Sequence, residues 1–196
     1  MSSELGRNWI ENSKDSLISG FFKNHRDGYA LEAGAFDGVT ASPTLVLEKT
    51  FDWTVLCVEA NPYYEDTLRL NRELVLIKTV GESDKDDVDF FIDPEPSISS
   101  LVDSENRLQI KTQMWSIDHC LSWAQFPHLD LLCLDLEGYE LQALHGIDFN
   151  KWKVPMVVLE NLNVNDHFLR DYMQSFGYYM AARVWYDEFY IIKRWD

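Results

Sequence analysis

Five short apolar runs alternate with helical patterns along the 196 residues. They read YALEAG (29–34), TVLCVEA (54–60), LVLIKTV (74–80), LDLLCLDLEG (129–138) and PMVVLEN (155–161). Each is short and apolar at consecutive positions, which predicts strands buried on both faces, as in a parallel sheet. Between and after them lie helical patterns: SPTLVLEKTF (42–51), PYYEDTLRLNR (62–72), SIDHCLSWAQF (116–126), YELQALHGI (139–147) and DHFLRDYMQSF (166–176). Ser42 is the expected N-cap of the first, with Pro43 at its first position. Pro62 opens the second, Ser116 caps the third, and Gly177 ends the last. Such alternation predicts an α/β sandwich, because right-handed crossovers lay helices on both faces of the sheet.

Three segments stand outside the rhythm. Residues 4–24 carry apolar side chains at helical spacing and predict one or two helices. Residues 82–115 predict extra extended structure on the edge of the sheet, from VDFFIDP and LQIKTQMW. YYMAARVW and EFYIIKRW predict a closing antiparallel hairpin across Tyr186-Asp187. With no repeat and no linker, residues 1–196 are expected to form one domain.

Open parallel sheets bind ligands beyond the carboxyl ends of their strands. Those ends carry Glu32, Glu59, Asp135, Glu137 and Glu160. The first turn, EAGAFDG, places Gly34 and Gly38 among two acids, Glu32 and Asp37. Glycine is unfavourable unless the backbone needs an unusual dihedral or a close approach, so the turn is expected to hold a ligand. A dinucleotide would call for G-x-G-x-x-G and a pyrophosphate on the helix N-terminus. Here one glycine is missing, and two carboxylates would repel the phosphates. S-adenosylmethionine has no phosphate and carries an ammonium and a sulfonium, whose charge such acids offset. Glu59, 27 positions after Glu32, can accept both hydroxyls of a ribose. The expected cofactor contacts are Glu32, Gly34, Ala35, Asp37, Gly38, Glu59, Ala60, Asn61, Val80, Gly81 and Asp135.

The formal charge of −16 argues against a broad nucleic-acid-binding face. Cys57, Cys120 and Cys133 have no metal spacing, and Cys57 and Cys133 sit in apolar runs as expected of buried thiols. No run is long enough to span a membrane, and the first residues lack a signal-peptide core. The expectation is a cytoplasmic protein in a reducing compartment.

The chain resembles the FkbM-like methyltransferases over roughly residues 13 to 180. The resemblance rests on EAGAFDG, S-x-T-L-x-L-E-K, VEANP, LDLEGYE-x-x-x-L-x-G and the strand-end LEN. One departure is Lys14-Asp15, where members often have Gln-Asp. The resemblance implies a Rossmann-like class I methyltransferase fold: a mostly parallel seven-stranded sheet, antiparallel last strand, helices on both faces. It also implies S-adenosylmethionine-dependent O-methylation of a hydroxyl acceptor, often a sugar or glycan. The alternatives are a non-catalytic adaptor that keeps the fold and, with less support from the first turn, a nicotinamide-dependent oxidoreductase.

Methylating a hydroxyl requires alignment with the methyl group and removal of a proton. Asp135, Glu137 and His145 are the catalytic candidates. Asp135, Glu160 and Asn161 offer hard oxygen ligands for Mg²⁺ or another divalent cation. They are similar to the Asp…Asp-Asn site of metal-dependent small-molecule O-methyltransferases, with Glu in place of one Asp. The alternative is that Asp135 contacts cofactor or acceptor directly while Glu160 caps a loop. For His145, beside Gly146, the alternative is a role at a helix end. His119 is expected in solvent. Trp115, Trp123 and Tyr139 are candidates for an acceptor cleft, with core packing as the alternative. Ser97, Ser99 and Ser100 either reach the site from the inserted region or serve as turn residues.

Overall fold

The structure, a computed structural model, describes residues 14, 16–23, 25–93, 99–102, 107–163, 165 and 167–192. Its main sheet has seven strands: β1 (Tyr29–Ala33), β2 (Thr54–Glu59), β3 (Leu74–Ile77), β7 (Leu131–Leu134), β8 (Met156–Glu160), β9 (Tyr178–Val184) and β10 (Asp187–Ile192). Their order is β3-β2-β1-β7-β8-β10-β9. Strands β3, β2, β1, β7 and β8 pair in parallel, while β10 is antiparallel to both β8 and β9. The expected mostly parallel seven-stranded sheet with an antiparallel last strand is thus the observed one. The chain order reverses between β1 and β7, which puts the switch point at the middle of the sheet.

Alternate residues of each central strand feed two cores. Leu31, Ala33, Leu56, Val58, Leu132 and Leu134 face one side, with α3 (Ile117–Trp123), α4 (Glu140–Leu144), α5 (Phe149–Trp152) and α6 (Phe168–Ser175). Ala30, Val55, Cys57, Leu131 and Cys133 face the other, with α1 (Leu45–Phe51), α2 (Glu65–Asn71) and the helical residues 16–21. Each core is covered by helices that contribute an apolar stripe. All three cysteines are buried and unpaired. Of the expected N-terminal helices, residues 1–13, 15 and 24 lie outside the described residues.

Four local expectations need correction. LVLIKTV is not one strand: Lys78 donates its backbone N–H to Glu59 O at 3.0 Å, and the chain then leaves the main sheet. Its last part is β4 (Thr79–Gly81), which pairs in parallel with β6 (Leu108–Ser116). With β5 (Lys85–Ile92) these form a separate three-stranded sheet, β4-β6-β5, instead of an edge extension. The helix expected from Pro43 begins at Leu45, because the Ser42 and Thr44 hydroxyls both donate to Glu32. The closing hairpin turns at Trp185-Tyr186, one residue earlier than expected, with Val184 opposite Asp187. Ser116 does cap α3, accepting from His119 N at 3.2 Å.

Gly34 shows how tightly the strand ends meet. It has φ +83°, and a Cβ there would lie 1.9 Å from the backbone oxygen of Asp135. The collision is with main chain, so no rotamer relieves it. Gly34→Ala is expected to destabilise by about 3 kcal/mol or more, which at this length lowers the melting temperature by roughly 6–12 °C. Calorimetric melting of the variant checks this.

Candidate active site

A pocket lies at the carboxyl ends of β1, β2 and β7. It encloses about 170 Å³, more than ten times the ~10–15 Å³ that one water needs, so it has room for a molecule beyond a lone ion. Glu32, Gly34 and Phe36 line it from the first strand and turn, Glu59 and Ala60 from the second, Asp135, Glu137 and Tyr139 from the fourth. Thr79, Val80 and Phe90 come from the small sheet, Ser99 and Ser100 from the segment beyond it, and Lys14 and Asp187 close the rim. Ser97 lies outside the described residues.

The first turn is held from beneath. Arg72, at the end of α2, has a side chain with no exposure. Its Nε donates to Glu48 at 2.7 Å, Nη1 to Gly38 O and Ser42 Oγ at 3.0 Å each, and Nη2 to Thr44 Oγ1 at 2.7 Å. Nη1 also stands 3.5 Å from Glu32. Burial pushes the Glu32 carboxyl up while Arg72 pulls it down; the guanidinium keeps its proton at any ordinary pH. Gly38, at φ +79°, clears Arg72: a Cβ would meet Arg72 Cγ at 2.6 Å and Leu68 Cδ1 at 2.7 Å. Both glycines of the turn are therefore required by the protein's own packing, where the sequence alone suggested a ligand's approach.

Glu32 thus faces inward as much as toward the pocket. Asp37 folds back on its own loop, accepting from Val39 N, Thr40 N and Thr40 Oγ1. Desolvation pushes its pKa up, but these donors outweigh it and hold the group below the usual range. Glu59 accepts from Phe36 N at 2.8 Å and Asn61 N at 2.7 Å. Each oxygen keeps a second lone pair, so it can still accept from a ligand. Burial raises its pKa against these hydrogen bonds.

Three carboxyls gather at the mouth. One oxygen from each of Asp135, Glu137 and Glu160 lies within 4.8 Å of the other two. Asp135 is open to solvent yet ringed by protein, and desolvation, then the charge of Asp187, raises its pKa. Glu160, also raised by desolvation and by Asp135, can hydrogen-bond to Asp135 only while one of the pair carries a proton. Glu137 is pushed up to about 7, first by desolvation, then by Asp135 and Glu140. Its backbone sits at φ +54°, followed by Gly138 at φ +94°, a kink uncommon for a residue with a Cβ. Ser100 Oγ, 3.1 Å from Glu137 O, and Glu140, which accepts Leu136 N at 2.7 Å, hold that kink.

Several predicted residues stand elsewhere. Asn161 does not join the carboxyls: its Nδ2 donates to Glu188 at 3.2 Å and its Oδ1 accepts from Asn163 N at 3.1 Å. Glu137 takes its place in the set able to hold a cation. His145 is exposed at the end of α4, against the Tyr172 ring at 4.8 Å, and lines a separate shallow depression with Glu82 and Asp118. His145 therefore does not line the pocket that holds Asp135 and Glu137. Ala35, Asn61 and Gly81 are buried beside the pocket without lining it; Asn61 caps the turn at Pro62–Tyr64, and a Cβ on Gly81 would meet Met114 Sδ at 2.3 Å. Trp115 and Trp123 also lie outside the pocket. His119, expected in solvent, stacks on Trp115 at 4.0 Å. Among the proposed acceptor aromatics, only Tyr139 lines the pocket.

Sequence reasoning passed over Lys14, Phe36, Phe90 and Asp187. Lys14 and Asp187 form an ion pair across the rim. Asp187 was legible only as a turn residue, since nothing local shows that β10 inserts beside β8.

The raised Glu160 gives a stability prediction. Between its ordinary pKa and its folded one, the folded chain holds more protons than the unfolded chain, so stability falls as pH rises there. Glu160→Gln keeps a donor toward Asp135 and removes the titration. The variant is expected to melt above the parent at pH 8.5, by roughly 2–4 °C per kcal/mol relieved, with a smaller difference at pH 5.5. Parallel thermal melts at the two pH values measure it.

Residues 32–180 match the family model described as the methyltransferase FkbM domain. Among curated proteins, no sequence matches the chain significantly. The fold is similar to the crystal structure of methyltransferase FkbM from Methylobacillus flagellatus KT, with TM-score 0.59 and 17% identity. That similarity covers 86% of this chain and 44% of the other, so this chain spans less than half of that relative's length. It is also similar to precorrin-6y C5,15-methyltransferase from Geobacter metallireducens GS-15, with TM-score 0.50, 11% identity, and 90% and 85% of the two chains covered. With the family model matching well over half of its length, the chain belongs to the FkbM methyltransferase family.

Proposed function

We propose that the protein is an S-adenosylmethionine-dependent O-methyltransferase acting on a hydroxyl of a sugar or glycan. The observation that carries this reading is the charge of the pocket. Five acids line it against two lysines; with Glu32 backed by Arg72 and Asp187 paired with Lys14, the acidic excess rests on Glu59, Asp135 and Glu137. Lys14 is paired with Asp187, and Lys78 donates to Gln113 at 2.7 Å. Such walls suit a ligand with a cationic sulfonium and disfavour a pyrophosphate. S-adenosylmethionine is the usual cofactor of methyltransferases; when bound, it supplies an electrophilic methyl group.

This chain's residues would do the rest. Glu59 accepts from the ribose hydroxyls with its free lone pairs, and Gly34, Ala60 and Val80 shape the wall behind. Glu137 is the base: a carboxylate with pKa near 7 is ionised often enough to act and basic enough to take a proton. When the acceptor hydroxyl is methylated, its proton would pass to Glu137. Asp135, beside it, orients the acceptor hydroxyl. The same oxygens, with Glu160, could hold a divalent cation, and that role is separable by experiment.

S-adenosylhomocysteine is expected to bind with micromolar affinity in titration calorimetry; an absence of heat would end the proposal. Glu59→Gln should weaken that binding by about 10- to 100-fold, the loss of one charge-assisted contact. Glu137→Gln should retain binding and lose about 10²- to 10⁴-fold in kcat. The parent's rate should rise through about pH 7 as Glu137 loses its proton, a rise the variant lacks. Full turnover in excess chelator would remove the cation from Asp135, Glu137 and Glu160. Cofactor binding without transfer to any glycan would instead favour an adaptor.

A further inference from the structure

The tip of the last hairpin contradicts the ordinary chemistry of such turns. Val184 and Asp187 pair, so Trp185-Tyr186 is a two-residue loop. Loops of this length take glycine, asparagine or aspartate where φ is positive. Here Trp185 occupies φ +58°, and for a bulky residue that conformation is strained. The ring gains no burial in return: Trp185 is 68% exposed and Tyr186 49%.

The backbone beneath the two rings is clamped. Arg183 Nε donates to Trp185 O at 2.9 Å, its Nη1 to the buried Glu188 at 3.1 Å, and its Nη2 to Asn161 O at 3.2 Å. Tyr186 O accepts from Asn161 N at 2.7 Å. Asn161 directly follows Glu160, and Asp187 directly follows Tyr186 while lining the pocket rim. The backbone that carries the two exposed rings is therefore fixed next to Asp187, which lines the rim and pairs with Glu160 across the strands. A strained residue held by its surroundings at a pocket mouth is a reason to look for a ligand there.

We propose that Trp185 and Tyr186 form the acceptor platform, on which a neutral sugar ring stacks its C–H face. The choice of occupant follows from charge. Asp187 is balanced by Lys14, and the acidic excess of the neighbouring rim comes from Asp135 and Glu137, which disfavours phosphate, an anionic membrane or an acidic glycan. A neutral polyol offers apolar C–H faces to the rings and hydroxyl donors to the carboxylates. This rests on the O-methyltransferase reading and adds the residues that select the acceptor.

The test uses the full chain, ¹⁵N-labelled, with the Trp185 indole resonance identified by its loss in Trp185→Gly. The probes are methyl α-D-glucopyranoside, methyl α-D-mannopyranoside and methyl α-L-rhamnopyranoside, each titrated with and without S-adenosylhomocysteine. At least one is expected to shift that resonance. Glycine suits the positive φ, so the variant should melt at or above the parent's temperature and bind S-adenosylhomocysteine equally well. Its affinity for the sugar, read by saturation transfer, should fall by about 2- to 10-fold. The proposal is overturned if no sugar moves the resonance, if phosphatidylcholine vesicles perturb it and the sugars do not, or if the variant binds sugar as the parent does. Failure of S-adenosylhomocysteine to bind would instead defeat the cofactor reading, which the sugar titrations without it keep distinct.

Discussion

A guanidinium sealed from water organises the front of this molecule. Arg72 ties the first strand end, the first loop and the start of α1 through Glu32, Gly38, Ser42, Thr44 and Glu48. Buried ion pairs contribute little net stability against an apolar substitute, yet removing one partner strands the other charge. Their better-attested use is to fix one arrangement among several. Here that arrangement is a loop whose carboxylate is already neutralised from behind. The charge that a ligand meets comes chiefly from the second and fourth strand ends.

Those ends illustrate how acids can be crowded without scattering the structure. Asp135, Glu137 and Glu160 sit on parallel neighbours and a kink, where backbone direction alone brings them together. Desolvation raises each of them, so near neutrality the cluster holds protons that isolated carboxyls would have lost. A group of this kind can accept or release a proton near neutral pH, a property suited to acid–base work.

The main sheet was legible in the sequence because its signal is local. Consecutive apolar positions in TVLCVEA or PMVVLEN leave no solvent face, and each became a buried strand. The strand-end acids Glu59, Asp135 and Glu137 could be named for the same reason. What failed depended on distant partners. Lys78 was read inside a strand because nothing nearby reports that Thr79 pairs with Met114. Ser42 looked like a helix cap until Glu32, ten residues earlier, claimed its hydroxyl. Asn161 fitted a metal set by type and spacing, but Glu188, from the inserted β10, holds its amide. For His145, residue type says little about the direction of a side chain at the end of a helix.

The position of β10 has a consequence for biosynthesis. This strand lies between β8 and β9 and supplies Asp187 to the rim. Domains acquire structure as they leave the ribosome, but contacts between distant residues must wait for both partners. Until Asp187–Ile192 clears the exit tunnel, the nascent sheet has an open slot beside β8 and an incomplete mouth. The rim of the pocket is therefore completed only after every other strand of the main sheet has been translated.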